Sequence, residues 1–253
     1  MKLRIICGSR HFLLLFFLSL LIGCREAAPP RFILVFVDFS GTAKSSRDYY
    51  KEEVRKMVMK LNHGGDKIVV NQISDKTWSD AKPLFVSAPF PKPAPLENPL
   101  VYKNRKEEFQ ASHQAKFKTA CKRIDEGAIS PYTDIITSFM VAADIFPVGK
   151  TQRLLVLLSD MLQDSIIAGT RWNFERDKIN SAYRSALLNT LKQHKLIPNL
   201  EGVAVYVGGA KSAERDKTDE RALEVRRFWE LYIKETGADL KEYGQYLHHF
   251  FSE

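Results

Sequence analysis

Two uninterrupted apolar runs, Phe32–Val37 and Leu154–Leu158, constrain this chain more than any other feature. A strand with one wet face alternates apolar and polar residues. A strand that is apolar at every position is buried on both faces, as a central strand is in a parallel sheet covered by helices. Around these runs the pattern alternates. Tyr50, Val54, Met57, Val58 and Leu61 recur at helical spacing over Ser46–Leu61, whereas Lys67–Ser74 reads as a second strand and Leu84–Ser87 as a short edge strand. Five prolines between Pro89 and Pro99 mark an extended surface loop. Tyr102–Glu126 then reads as a long helix stopped by Gly127, with Phe109, Phe117, Ala120, Cys121 and Ile124 on its apolar side. Asp134–Phe146, Glu175–Lys195 and Thr218–Thr236 are further helices, Arg153–Ser159 and Val203–Val207 are strands, and the aromatic-rich Ala238–Glu253 fits either. This order predicts an α/β fold, a Rossmann-like open and mainly parallel sheet with helices on both faces.

The amino end is of another kind. Lys2, Arg4 and Arg10 precede the apolar run Phe12–Ile22, broken only by Ser19 and shorter than the ~20 residues of a comfortable membrane span. It leads into Leu21-Ile22-Gly23-Cys24, which resembles the lipobox of bacterial lipoproteins. That resemblance implies a signal peptide over residues 1–23, cleavage after Gly23, and a diacylglycerol thioether on Cys24 with further acylation of the new amino group. Two or three acyl chains hold a protein stably on a membrane. The expected location is the bacterial cell membrane or outer membrane, on the periplasmic or extracellular face. Residues 24–31 would be the lipidated cysteine and tether, and 32–253 a single domain with a C-terminal extension.

Composition narrows the partners. Of 38 Lys and Arg, three lie in residues 1–23, leaving 35 against 30 Asp and Glu. A mature balance of +5 is mildly basic and calls for no nucleic acid. Arg221, Arg226 and Arg227 alternate with Glu220 and Glu224 as on a solvated helix face, and the basic residues of Tyr102–Glu126 read as a charged outer face. With residues 1–23, and Cys7 among them, removed, Cys121 is the lone thiol besides Cys24, so the fold would rest on its core rather than on intrachain disulfides.

The chemistry-bearing residues stand at strand ends. Phe32–Val37 ends in Asp38, with Ser40 and Thr42 at alternate positions after it. These three side chains can turn their oxygens toward one point past the strand's carboxyl end, where open α/β sheets place ligands. An oxygen-only donor set with one carboxylate suits a hard cation, Mg²⁺ before softer metals. Two further segments share that edge: Ser130-Pro131-Tyr132-Thr133-Asp134, just before a helix, and Ser159-Asp160, after the second apolar strand.

With these three segments the chain resembles the von Willebrand factor A (VWA) domain family and its metal-ion-dependent adhesion site. The family's Asp-x-Ser-x-Ser loop is matched by Asp38, Ser40 and Thr42, its threonine loop by Thr133, and its third aspartate by Asp160. The resemblance implies direct ligation of Mg²⁺ (or Mn²⁺ or Ca²⁺) by the Ser40 and Thr42 hydroxyls. Thr133 would ligate directly or through water, and Asp38 and Asp160 mostly through waters. An open position would accept an acidic side chain of a protein partner. Tyr132 and Met161 stand where the family usually has glycine, and a bulky Met161 beside Asp160 is expected to crowd the site or narrow what approaches it.

Asp38-Phe39-Ser40-Gly41-Thr42 also resembles the first motif of haloacid-dehalogenase-type phosphatases, Asp-x-Asp-Gly-Thr, in which the second Asp shuttles the proton. Ser40 cannot do so. His248 and His249 are adjacent and diverge on either a helix or a strand. The expectation is a membrane-anchored binding module, not an enzyme. The alternatives are a structural component of an envelope, secretion or conjugation assembly with a degenerate metal site, and a phosphohydrolase using Asp38.

Overall fold

A computed structural model describes residues 29–75, 77–78, 83–210 and 220–250. The expected signal peptide, Cys24 and most of the expected tether lie outside them. In chain order the strands are β1 (Arg31–Asp38), β2 (Lys67–Ile73), β3 (Phe85–Val86), β4 (Gln152–Leu158), β5 (Asp164–Ile167), β6 (Thr170–Asn173), β7 (Val203–Gly208) and β8 (Asp239–Gly244). The helices are α1 (Arg47–Met59), α2 (Pro99–Glu126), α3 (Ile135–Ile145), α4 (Ser181–Gln193) and α5 (Glu220–Glu235).

Six strands form one sheet in the order β3-β2-β1-β4-β7-β8. All pairings are parallel except β3, which runs antiparallel on the edge of β2. The apolar runs at β1 and β4 are neighbours at the centre, with Val35 opposite Val70 on one side and Val156 on the other. Their residues alternate between two cores. Leu34, Phe36, Leu155 and Leu157 join Phe139, Leu187 and Trp229 of α3, α4 and α5. Ile33, Val35, Val37, Leu154, Val156 and Leu158 join Tyr50, Met57, Phe117 and Ile124 of α1 and α2. Each fully buried side chain of Leu or Phe size contributes roughly 1.5–3 kcal/mol, so the two-sided burial of β1 and β4 is a large stabilising contribution.

Helix α2 starts earlier than its periodicity predicts. Pro99 takes the first turn, where a missing N–H costs nothing, and the Asn98 side chain accepts from Leu100 N–H at 2.9 Å. Helix α4 starts later. Asn173 accepts from the N–H groups of Glu175 and Arg176, holding residues 173–177 in a turn, and Asn180 caps the helix by accepting from Tyr183 N–H at 2.9 Å. The β5–β6 hairpin is not legible as a periodic element. Its two-residue turn, Ala168-Gly169, has φ of 52° and 78°, the conformation that usually selects Asn-Gly. The ambiguous C-terminal segment resolves as β8 followed by a turn. No helix among the described residues is long and apolar enough to cross a membrane.

His113, isolated in sequence, is a packing residue. Its ring stacks on Phe109, and its Nε2 accepts from Ala88 N–H at 3.1 Å, which fastens the proline-rich segment to α2. Cys121 is half-buried against the α1–α2 core, and burial raises its thiol pKa.

Candidate metal centre

Asp38 ends β1 and is fully buried. Its Oδ1 accepts the Ser40 N–H at 2.7 Å, and its Oδ2 accepts the Ser159 hydroxyl at 2.5 Å. Ser159 follows β4, so this bond closes the crevice between the two central strands. Strands β2 and β3 lie on one side of that crevice and β7 and β8 on the other, the switch point at which open α/β sheets bind ligands. Ser159 is held in turn: its Oγ accepts from Met161 N–H at 2.9 Å, and its N–H donates to Gly208 O at 2.9 Å.

The first loop leaves β1 with Ser40 buried and Thr42 exposed, their hydroxyl oxygens 3.1 Å apart. Asp160, half-buried, accepts from Leu162 N–H at 3.0 Å. Burial above all, then the charge of Asp160, pushes Asp38 up to about 7, against the opposing pull of the Ser159 and Ser40 hydrogen bonds. Two carboxylates are thus held close enough to repel, in a setting that a cation would relieve.

The second loop is stitched to the first. Ser130 pairs with Ser40 as an isolated parallel bridge, its N–H donating to Phe39 O at 3.0 Å. Its hydroxyl donates to Tyr132 O at 2.6 Å and accepts from Asp75 N–H at 2.9 Å. Thr133, three residues on, is buried, and its main chain exchanges two hydrogen bonds of 2.9 Å with Asp164 at the start of β5. Asp134 caps α3, accepting from Thr137 N–H at 3.2 Å. Asp38, Ser40 and Thr42 are therefore in direct contact through the loop, and Asp160 acts on Asp38. Thr133 follows Ser130, which is bonded to the first loop, by three residues, and its own backbone bonds run to Asp164.

The expectation that Met161 crowds the site is corrected. Met161 adopts φ 64° and its side chain is fully buried in the core with Phe139 and Trp229, while its carbonyl accepts from Trp229 Nε1 at 2.9 Å. The left-handed backbone that a glycine would supply is taken by a methionine, and its side chain turns inward rather than across the rim. Tyr132 leans outward under Arg171, which also pairs with Asp164.

Two residues to which the sequence assigns no site role hold the rim in place. Ser159 was legible only as the neighbour of Asp160. Arg47 is buried in the first turn of α1; its guanidinium donates to the carbonyls of Phe39, Ile124 and Gly127 and lies 4.8 Å from the centre of the Phe39 ring. A side chain at Gly127 would meet that ring at 2.1 Å, so glycine is required where α2 ends against the first loop. Among the described residues no cluster of three or more His, Cys, Asp or Glu could hold a metal. Two of the five residues singled out carry carboxylates and three carry hydroxyls.

The fold is an open, mainly parallel α/β sheet, the architecture that the resemblance to von Willebrand factor A domains implies. The open parallel sheet carries all three motif segments at the carboxyl ends of its strands or in loops bonded to them. No family model matches the sequence, nor does any curated protein. Among solved structures this chain is similar to the pilus adhesin SpaC from Lactobacillus rhamnosus GG in its open conformation, at 13% identity over 86% of this chain and 28% of that one, with a TM-score of 0.47. It is also similar to a von Willebrand factor type A protein from Catenulispora acidiphila, at 13% identity over 83% of this chain and 43% of that one, with a TM-score of 0.38. A third is the conserved hypothetical protein BatB from Bacteroides thetaiotaomicron, at 13% identity over 85% of this chain and 91% of that one, with a TM-score of 0.38. This chain spans under a third of the pilus adhesin's length.

Proposed function

We propose that this chain is a lipid-anchored binding module of the bacterial cell envelope, and that its rim holds a divalent cation through which a protein partner is gripped. The observation that carries the reading is the pair of hydroxyls from Ser40 and Thr42, 3.1 Å apart beside the doubly hydrogen-bonded Asp38. Cis ligands of an octahedral Mg²⁺ with bonds of ~2.1 Å are about 3.0 Å apart, whereas bonds of ~2.4 Å to Ca²⁺ separate them by about 3.4 Å. A hydroxyl–hydroxyl hydrogen bond is usually shorter, about 2.7–2.8 Å. At 3.1 Å the pair fits cis ligation of a small cation and is also within hydrogen-bond range, so the preference for Mg²⁺ rests on the hard, oxygen-only donor set.

In this reading Ser40 and Thr42 bind the ion, Asp38 and Asp160 supply the compensating charge, and Thr133 completes the protein's side of the shell. The bound ion would supply an electrophilic position for an incoming carboxylate. Asp38 serves poorly as a nucleophile, since it is fully buried with both oxygens engaged, and Ser40 offers no proton shuttle. This supports a binder over a phosphohydrolase. Cys24 and the segment before it support the envelope location. The test is a pull-down from detergent-solubilised membranes with the full chain as bait. A partner retained with Mg²⁺, released by chelator and lost with Asp38→Ala supports the reading; retention indifferent to both favours a structural role with a degenerate metal site.

A further inference from the structure

Tyr50 is fully buried in the second turn of α1, yet its hydroxyl has no hydrogen-bond partner. The Ser46 hydroxyl, four residues earlier, acts on it without reaching the geometry of a hydrogen bond. A buried hydroxyl left unsatisfied is destabilising, and a phenylalanine would avoid that cost with the same ring. The orphan is placed among the site's own elements. A Cβ on Gly209, the residue after β7, would meet the Tyr50 ring at 2.6 Å and its hydroxyl at 2.7 Å. Gly208, one residue earlier, accepts the N–H of Ser159. The phenol therefore reaches from α1 across to the end of β7, on the flank of the crevice that Asp38 and Ser159 close. Burial raises its pKa, and the carboxylates next in effect are Asp38 and then Asp160.

We propose that the Tyr50 hydroxyl is a positioning group of the cation site, donating its hydrogen bond into the Asp38–Asp160 acid pair or its ordered water once the cation is bound. The inference rests on the cation-binding reading above and names a residue that the three motifs leave out. A donor of this kind fixes the orientation of the ligands behind an ion, and its loss typically weakens metal binding 10–100-fold. Tyr49, next to it, is the contrast. Its hydroxyl already accepts the Leu247 N–H at 3.1 Å and has a structural partner.

The test compares Tyr50→Phe, Tyr49→Phe and the unaltered full chain in detergent micelles. Mg²⁺ affinity is measured by calorimetry, and melting temperature is measured with and without Mg²⁺. Tyr50→Phe is expected to bind Mg²⁺ about ten-fold more weakly while melting no lower than the unaltered chain in chelator. Tyr49→Phe is expected to melt lower and to keep its affinity. Equal Mg²⁺ affinity in Tyr50→Phe and the unaltered chain overturns the role of Tyr50 and leaves cation binding standing. A lowered melting temperature in chelator with unchanged affinity overturns it too, since Tyr50 is then structural. If the unaltered chain binds no Mg²⁺ or Mn²⁺, the cation-binding reading and the Tyr50 inference fall together.

Discussion

The Ser159 hydroxyl stands 2.5 Å from Asp38 Oδ2, joining residues 121 apart in sequence at the ends of two adjacent strands. The same oxygen accepts from Met161 N–H, so one side chain fixes both the carboxylate of the first motif and the backbone of the third. The crevice is thereby built to a set width before any ligand arrives.

Ser159→Ala removes both of those bonds and leaves a fully buried carboxylate oxygen without its donor. The expected loss of stability is about 1–3 kcal/mol by denaturant unfolding. Ser159→Thr keeps the hydroxyl and is expected to recover most of that loss. An unchanged midpoint for Ser159→Ala would mean that Asp38 finds another donor.

Arg47 ties the end of α2 to the first loop through three carbonyls, a geometry that matches a guanidinium fork and not an ammonium. Arg47→Lys is therefore expected to destabilise the domain by about 2 kcal/mol, within the range for hydrogen bonds to a charged group. It is also expected to raise hydrogen exchange at Phe39–Thr42 and Gly127–Ser130 together. Exchange unchanged in both loops would contradict the coupling.

Asp66 gives the acid limb. Its carboxylate is fully buried, which on its own raises the pKa. The Arg31 side chain at 2.6 Å, with the backbone N–H groups of Arg31 and His63, outweighs this and leaves it below the usual carboxylate range. A depressed folded pKa means that the stabilisation is fully present above the unfolded value of about 3.9 and is lost as pH falls through the folded one. Asp66→Asn is expected to flatten stability against pH in that acid window and to lower it at neutral pH, read from urea midpoints across the range. An acid limb identical to that of the unaltered chain would place the titrating group elsewhere.

Much of the architecture was readable because burial leaves a plain mark. Phe32–Val37 and Leu154–Leu158 are apolar at every position, and they are indeed the central pair. Asp38, Ser40 and Thr42 were legible for a similar reason, since their spacing is local. Three things were not. The β5–β6 hairpin turns on Ala168-Gly169 rather than Asn-Gly, so the strongest short-range hairpin signal is missing. Met161 looked obstructive because a sequence does not reveal a left-handed backbone at a non-glycine residue. Ser159 and Arg47 owe their roles to tertiary contacts: the partners of Ser159 include a residue 121 positions away and those of Arg47 lie up to 80 away, distances over which no periodic pattern carries information.

We propose that the rim at Asp38, Ser40, Thr42, Thr133 and Asp160 binds a divalent cation. The most direct test is calorimetric titration of the chelator-treated full chain with Mg²⁺, alongside Asp38→Ala. Saturable one-site binding is expected, with a matching rise in melting temperature, both abolished in Asp38→Ala. Absence of binding by Mg²⁺ and Mn²⁺ to the unaltered chain, or equal binding to Asp38→Ala, would contradict it.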